Sequence, residues 1–359
     1  MSCPAHLHSL NDAQRAAVEC GISNAGGVQS PGPLLIIAGA RTGKTNTLAH
    51  RIAHLILNGA APDRILLLTF TRRAAAEMTR RTQATLARSR AAAKPTGLAA
   101  AGEICWSGTF HAIANRLLRE HAQTIAIDPS FTVLDRGDAA DRLDFVRNEL
   151  GLAKTQARFP RKETCLSIYS HTVNARCPVT ETLKGAFPWC AEWEPELKRL
   201  FRAYVEAKQS ENVLDYDDLL LYWADMMEEP AIAQLVGERF DHVLVDEYQD
   251  TNALQAQILL RMKPDGGGLT VVGTTRSRSI RFGPPAFETF SIFQSSSARR
   301  RRSSLSSRTT DLLNQFWTPV MPCSGRPVRV SEKRFFQENQ GASGRSWSWP
   351  RMRRRRSIT

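Results

Sequence analysis

The sequence predicts an α/β protein: a parallel sheet flanked by helices, interrupted by a helical insertion and followed by an irregular C-terminal tail. Three observations predict it. Short apolar runs at residues 33–37, 65–70, 240–245 and 269–272 have strand length, and helical patterns separate them. The first run opens directly into a glycine-containing turn and a helix. The third ends in paired acids. Strand–helix–strand alternation of this kind is the pattern of parallel sheets with helical crossovers.

The elements follow in order. Residues 11–20 (NDAQRAAVEC) read as a short helix, and 33–37 as a buried strand. From Gly43 the segment TNTLAHRIAHLILNG has apolar residues at helical spacing and a stop at Gly59. Residues 65–70 (ILLLTF) are a second strand, and 71–86 a helix. The Ala/Lys/Gly-rich stretch 88–101 reads as a surface loop, and 106–121 as a turn into a helix. Residues 135–211 are mostly helical, with breaks near Pro160 and Pro188, and form the insertion. A helix at 219–227, the acid-bearing strand 240–245 and a strand at 269–272 complete the pattern.

Charge is unevenly distributed. The chain carries a net +13, but residues 274–359 hold 18 Lys+Arg against 4 Asp+Glu, whereas the first 273 residues hold 30 against 31. The basic character is therefore no argument that the globular part binds nucleic acid. The seven cysteines are scattered without a CxxC pair, which disfavours a zinc site or disulfide framework. With no basic–apolar leader and no apolar run near 18 residues, a soluble, cytoplasmic protein outside the membrane is expected.

Two motifs carry chemistry. Ala38, Gly39, Ala40, Arg41, Thr42, Gly43, Lys44 and Thr45 form a phosphate loop between strand and helix. Backbone N–H groups there wrap phosphate oxygens, and the helix N-terminus adds a favourable dipole. Lys44 is expected to neutralise the β- and γ-phosphates and Thr45 to ligate Mg2+. Arg41 is unusual: its charge suits a phosphate, its bulk obstructs one, and both readings stay open. Asp246, at the end of an apolar strand, is the second expected Mg2+ ligand. Glu247 beside it would orient and deprotonate an attacking water. Together the motifs point to a nucleoside triphosphate with its Mg2+. Phosphate loop, insertion and acidic strand in this order describe one RecA-like P-loop NTPase domain interrupted by a helical subdomain.

The segments LNDAQRAAV, AGARTGKT, TFTRRAAAEMTRR, GTFHAIANRLLR, LDYDDLL and VLVDEYQDTN occur in one order across residues 10–273. This set resembles the UvrD/Rep/PcrA family of superfamily 1 DNA helicases. The resemblance implies ATP as that triphosphate, driving a 3′-to-5′ motor that acts on single-stranded and duplex DNA, in repair or replication restart. It implies that Gln14 reads adenine and that Gln249 couples the γ-phosphate state to a partner domain, while Asp250 orders the loop. It places Thr69, Phe70, Arg72, Thr109, Phe110 and His111 at single-stranded DNA. Asp215, Asp217 and Asp218 match a further motif, whose plain reading is helix capping. The expected division is a RecA-like domain in two parts, 1–112 and 212–273, around a helical insertion at 113–211. Protein partners are not indicated. The helicase part of a recombination nuclease and an inert remnant of a broken gene are the alternatives.

After Gly273 the chain departs from the family, which continues with an Asp. Codons GGC GAC GAC that lose one C read Gly-Thr-Thr, the residues at 273–275. The same one-base shift decodes the following segment as GDDAQSIYSFRAARVRNILDFP. It decodes residues 305–315 as LEQNYRSTQPI, the family's next motif. Residues 274–359 are therefore read as an out-of-frame, disordered basic tail, and the chain as a helicase truncated after its first RecA-like domain.

Overall fold

The computed structural model describes residues 4–22, 32–39, 42–92, 104–154 and 158–274. Ala40, Arg41 and the tail beyond Thr274 lie outside them, so the expectations attached to those positions stay at the level of sequence.

Helix α1 (Asp12–Glu19) precedes β1 (Leu34–Ile37), α2 (Lys44–Leu57), β2 (Ile65–Thr69) and α3 (Arg72–Ala92). Then come β3 (Trp106–Thr109), α4 (Phe110–Glu120) and the short β4 (Thr132–Val133). The insertion contributes α5 (Arg136–Glu149), α6 (Lys162–Ala175), α7 (Val179–Ala186) and α8 (Glu194–Ser210). The chain returns through β5 (Val213–Leu214), α9 (Tyr216–Met226), α10 (Pro230–Arg239), β6 (His242–Val245), α11 (Ala253–Met262) and β7 (Leu269–Gly273). The main sheet is wholly parallel in the order β1-β7-β6-β2-β3. A second parallel pair, β4 with β5, ties the start of the insertion to its end.

The strands are continuous apolar runs because both sheet faces are covered. Ile65, Leu67, Leu244 and Val272 point into one core, shared with Leu48, Ile52 and Met78 of α2 and α3. Leu66, Leu68, Val243, Val245, Leu269 and Val271 point into the other, which runs without a break into the insertion through Leu143, Ile168, Leu197 and Phe201. One apolar core thus holds the helical subdomain against the sheet.

Several elements differ from the sequence reading. Residues 106–109 are an edge strand rather than a turn, with Leu66 opposite Trp106 and Thr69 opposite Thr109. Helix α3 runs on to Ala92, through residues expected to begin a loop; its Ala/Arg-rich end has high helix propensity. Helix α9 starts at Tyr216, because Asp215 and Asp218 form a reciprocal capping box. Helices α10 and α11 were not anticipated.

Candidate functional site: a nucleotide cleft and an aromatic pocket at one sheet edge

In a parallel sheet all strand C-termini share one edge, and ligands bind in the crevice outside it. Every motif named above collects there. Lys44 follows β1, Thr69 ends β2, Thr109 ends β3, Asp246 follows β6 and Gly273 ends β7. Backbone bonds fix the spacing: Ala38 N–H donates to the Gly273 carbonyl at 3.1 Å, and Asp246 N–H to Leu68 at 2.9 Å.

The phosphate loop and the acids face each other. Lys44, 9% exposed, places its ammonium 3.8 Å from the Glu247 carboxylate. Gly43 takes the left-handed conformation (φ +84°) that turns the loop into α2, where a side chain would strain the backbone. Thr42 braces the turn, its hydroxyl donating to the Gly39 carbonyl at 2.7 Å. Glu247 itself has φ +49°, a strained position for a side-chain-bearing residue and common at functional sites. Gln249 orients its carboxylate by donating from Nε2 at 2.6 Å, while Gln249 Oε1 accepts from Thr274 N–H at 3.0 Å. Gln249 Nε2 also reaches Asp250 at 3.2 Å.

A cavity of about 640 Å³ opens on this pair, lined by Gly43, Lys44, Thr45, Arg73, Arg81 and Glu247 among others. Arg73 and Arg81, on α3, reach the same cavity, where Arg81 is paired with Glu77 at 2.6 Å; the motif reading had missed them. The signal was present in TFTRRAAAEMTRR as arginines on one helix, but nothing in their spacing says which face meets the cleft. Asp246 is buried, and burial and neighbouring Glu247 push its carboxyl up to about 6. Lys44 only partly offsets this, so a carboxylate at Asp246 and a hydroxyl at Thr45, which lines the cavity, are oxygen donors of the kind a hard divalent cation takes.

Gln14 lies above the loop. Its Nε2 donates to the Thr42 carbonyl at 3.0 Å, and its Oε1 accepts from Asn11 N–H at 3.1 Å within the capping box of α1. A side-chain amide has two N–H donors and two lone pairs, so one of each remains for a base edge.

A second cavity, about 270 Å³, lies between the sheet edge and the insertion. Phe70, Asp135, Arg136, His111, Tyr216 and Asn252 are among its walls. Phe70 is 63% and Tyr216 41% exposed, and the His111 ring meets Tyr216 edge-on at 5.5 Å. Burial lowers the His111 pKa, which keeps the ring neutral at pH 7. Two of the expected DNA residues turn their side chains inward. Phe110 is buried and packs on Trp223 at 6.2 Å, so its ring is core and unavailable for stacking. Thr69 is buried with its hydroxyl donating to the Thr71 carbonyl. Thr109 caps α4, accepting from Ala112 N–H, and Arg72 is exposed at the start of α3. Tyr216 was passed over between the aspartates of LDYDDLL. Asp215 and Asp218 do cap α9, but they are drawn inward rather than left in solvent, flanking the buried Lys208 at 2.6 and 2.5 Å, while Asp217 accepts from Ser170 and Asn174.

The family model for the UvrD/REP helicase N-terminal domain matches residues 10–276. The chain belongs to this family. It is 34% identical over 275 residues to an ATP-dependent DNA helicase PcrA of Leuconostoc citreum, covering 76% of this chain and 33% of that protein. It is 33% identical over 269 residues to DNA helicase II of Escherichia coli, covering 74% of this chain and 34% of that protein. The PcrA of Bacillus subtilis is 30% identical over 278 residues, at 77% and 34% coverage. The chain thus spans about a third of the length of these curated relatives. As in the UvrD/REP reading of the sequence, the fold is a RecA-like parallel sheet with a helical insertion. Among the described residues no helix is long and apolar enough to cross a membrane.

Proposed function

We propose that the chain is the ATP-binding part of a UvrD-type DNA helicase, a 3′-to-5′ translocase on single-stranded DNA, and that as translated it is impaired. The observation that carries the reading is the approach of Lys44 to Glu247 across a cleft large enough for a triphosphate. Lys44, with Arg73 and Arg81, would neutralise phosphate charge. Thr45 and Asp246 would hold Mg2+, whose charge offsets that developing on the transferred phosphoryl oxygens. Glu247, held by Gln249, would position the water and take its proton. Gln14 would select adenine by its free donor and acceptor. Phe70, His111 and Tyr216 would take unpaired bases of DNA; base–aromatic stacking contributes about 1–3 kcal/mol per base.

The domain division belongs to the same proposal: an ATP-binding unit of residues 1–112 and 212–273 and an insertion of 113–211, with the β4–β5 pair bracketing helices α5 to α8. So does the impairment. Enzymes of this kind close the cleft with a second domain carrying arginine fingers, worth roughly 10³–10⁵ in turnover. The family match runs to residue 276, just past Gly273, where the amino-acid sequence leaves the family pattern.

The test is nucleotide binding and ATPase assays on the purified chain with and without single-stranded DNA. MgATP binding that Lys44→Ala abolishes, with little turnover, is expected. No binding would remove the nucleotide assignment, and strong DNA-stimulated turnover would remove the impairment.

A further inference from the structure

Arg51, on α2, is fully buried, and among the described residues no carboxylate lies within ion-pair reach of it. Its partners are instead backbone carbonyls. One terminal nitrogen gathers Ala17 at 2.9 Å, Val18 at 3.1 Å and Cys20 at 3.1 Å, which are the free carbonyls at the end of α1. Its Nε donates to the Thr270 hydroxyl on β7 at 3.1 Å. The C-terminal end of a helix carries partial negative charge, so this cation replaces the water those carbonyls would otherwise need. Burial lowers the guanidinium pKa to about 10, which still leaves it charged.

The other end of the same helix bears on the nucleotide cleft. Helix α1 has eight residues, and Gln14 sits in its first turn. A Cβ on Gly43 would lie only 2.8 Å from Gln14 Nε2, so the amide rests directly on the phosphate loop. A helix this short moves as a rod. A shift at its C-terminal turn is carried to Gln14 about one and a half turns away.

We propose that Arg51 is a positioning residue for base recognition: by gripping the end of α1 it sets where Gln14 meets the nucleobase. The proposal rests on the reading of Gln14 as the base-contacting residue and goes beyond it by naming what holds that residue in place. Arg51 touches neither base nor phosphate. Its loss should therefore damage base selection and spare phosphate binding, a split that general loosening of the fold does not produce.

The experiment titrates the full chain with MgADP and with magnesium tripolyphosphate, which has phosphates and no base. Wild type is expected to prefer ADP, and Gln14→Ala to lose that preference. Arg51→Lys keeps the charge and loses the planar fork. It should weaken ADP by about 10-fold while tripolyphosphate stays within about twofold. Thr270→Val, a milder change that frees only Nε, should weaken ADP by about threefold and keeps the question answerable if the lysine variant does not fold. Equal loss of both ligands, as expected for Lys44→Ala, overturns the proposal, as does an unchanged ADP preference in Thr270→Val. A wild-type chain that binds tripolyphosphate and ADP alike would instead remove the Gln14 reading, and the proposal with it.

Discussion

Asp246 is the residue at which stability and function pull hardest against each other. Its carboxyl is raised from 3.8 to about 6 by burial and by Glu247, so the fold favours the protonated form. The sign follows. The group's stabilising contribution is complete below pH 3.8 and is lost as pH rises through about 6, leaving an unfavourable charge at pH 7. Asp246→Asn keeps an oxygen for Glu247 N–H, now 3.0 Å away, and removes the charge. It should raise stability at pH 7 by about 3 kcal/mol, read from urea unfolding, while weakening magnesium-dependent nucleotide binding. In wild type, MgATP affinity should fall as pH drops through about 6. The placement of Lys44, Asp246 and Glu247 at the C-terminal edge of the sheet could be read from the apolar strands before them. The orientation of Phe110 and Thr69 could not. A residue at a strand end or cap faces either core or solvent, and only the packing of Trp223 and the turn at Thr71 decides which.

At the scale of elements, two buried clusters should dominate the chain's response to pH and mutation. The first joins the N-terminal turn to α2. His6 and His54 are hydrogen-bonded at 2.9 Å, His50 lies beside them, and Arg51 and Arg88 add repulsion. Burial lowers His6 and His54 from 6.5 to about 4. Their neutral forms therefore stabilise the fold above about pH 6.5, and that contribution is lost as pH falls toward 4. Urea midpoints should drop between pH 7.5 and pH 5, and the drop should shrink in His6→Phe. The second cluster joins the insertion to the sheet domain. Lys208 on α8 bridges Asp215 and Asp218 at the start of α9, between the rings of Tyr169 and Tyr204. Lys208→Met strands two buried carboxylates and should cost about 3–5 kcal/mol, measured by denaturant unfolding at pH 7.5. Both clusters escaped the sequence reading, since a lone lysine on an amphipathic helix reads as solvent-facing. The helices themselves were legible from their apolar spacing. The four-residue β3 was not, because WSGT carries too little pattern to separate a strand from a turn.

The whole molecule is organised by the C-terminal edge of one parallel sheet. Sequence order supplied β1, β2, β6 and β7, but not β3 or the spatial order β1-β7-β6-β2-β3, which needs the crossovers to be seen. That order puts β7 between the phosphate-loop strand and the acid-bearing strand, so the chain leaves the sheet at the centre of the nucleotide edge. Thr274 N–H, the first group after β7, is held by the same Gln249 that orients Glu247. The prediction is genetic and then enzymatic. Inserting one C in codon 273 should yield a chain continuing Gly-Asp-Asp-Ala-Gln-Ser-Ile-Tyr. Under the proposed frame shift, ATPase stimulated by single-stranded DNA should rise over the present chain, by roughly 10³–10⁵ where the restored sequence supplies arginine fingers. Lys44→Ala in the restored protein should abolish that rise. If the restored chain hydrolyses ATP no faster than the present one, the loss lies in the first domain, with Arg41 in the phosphate loop the residue to revert next.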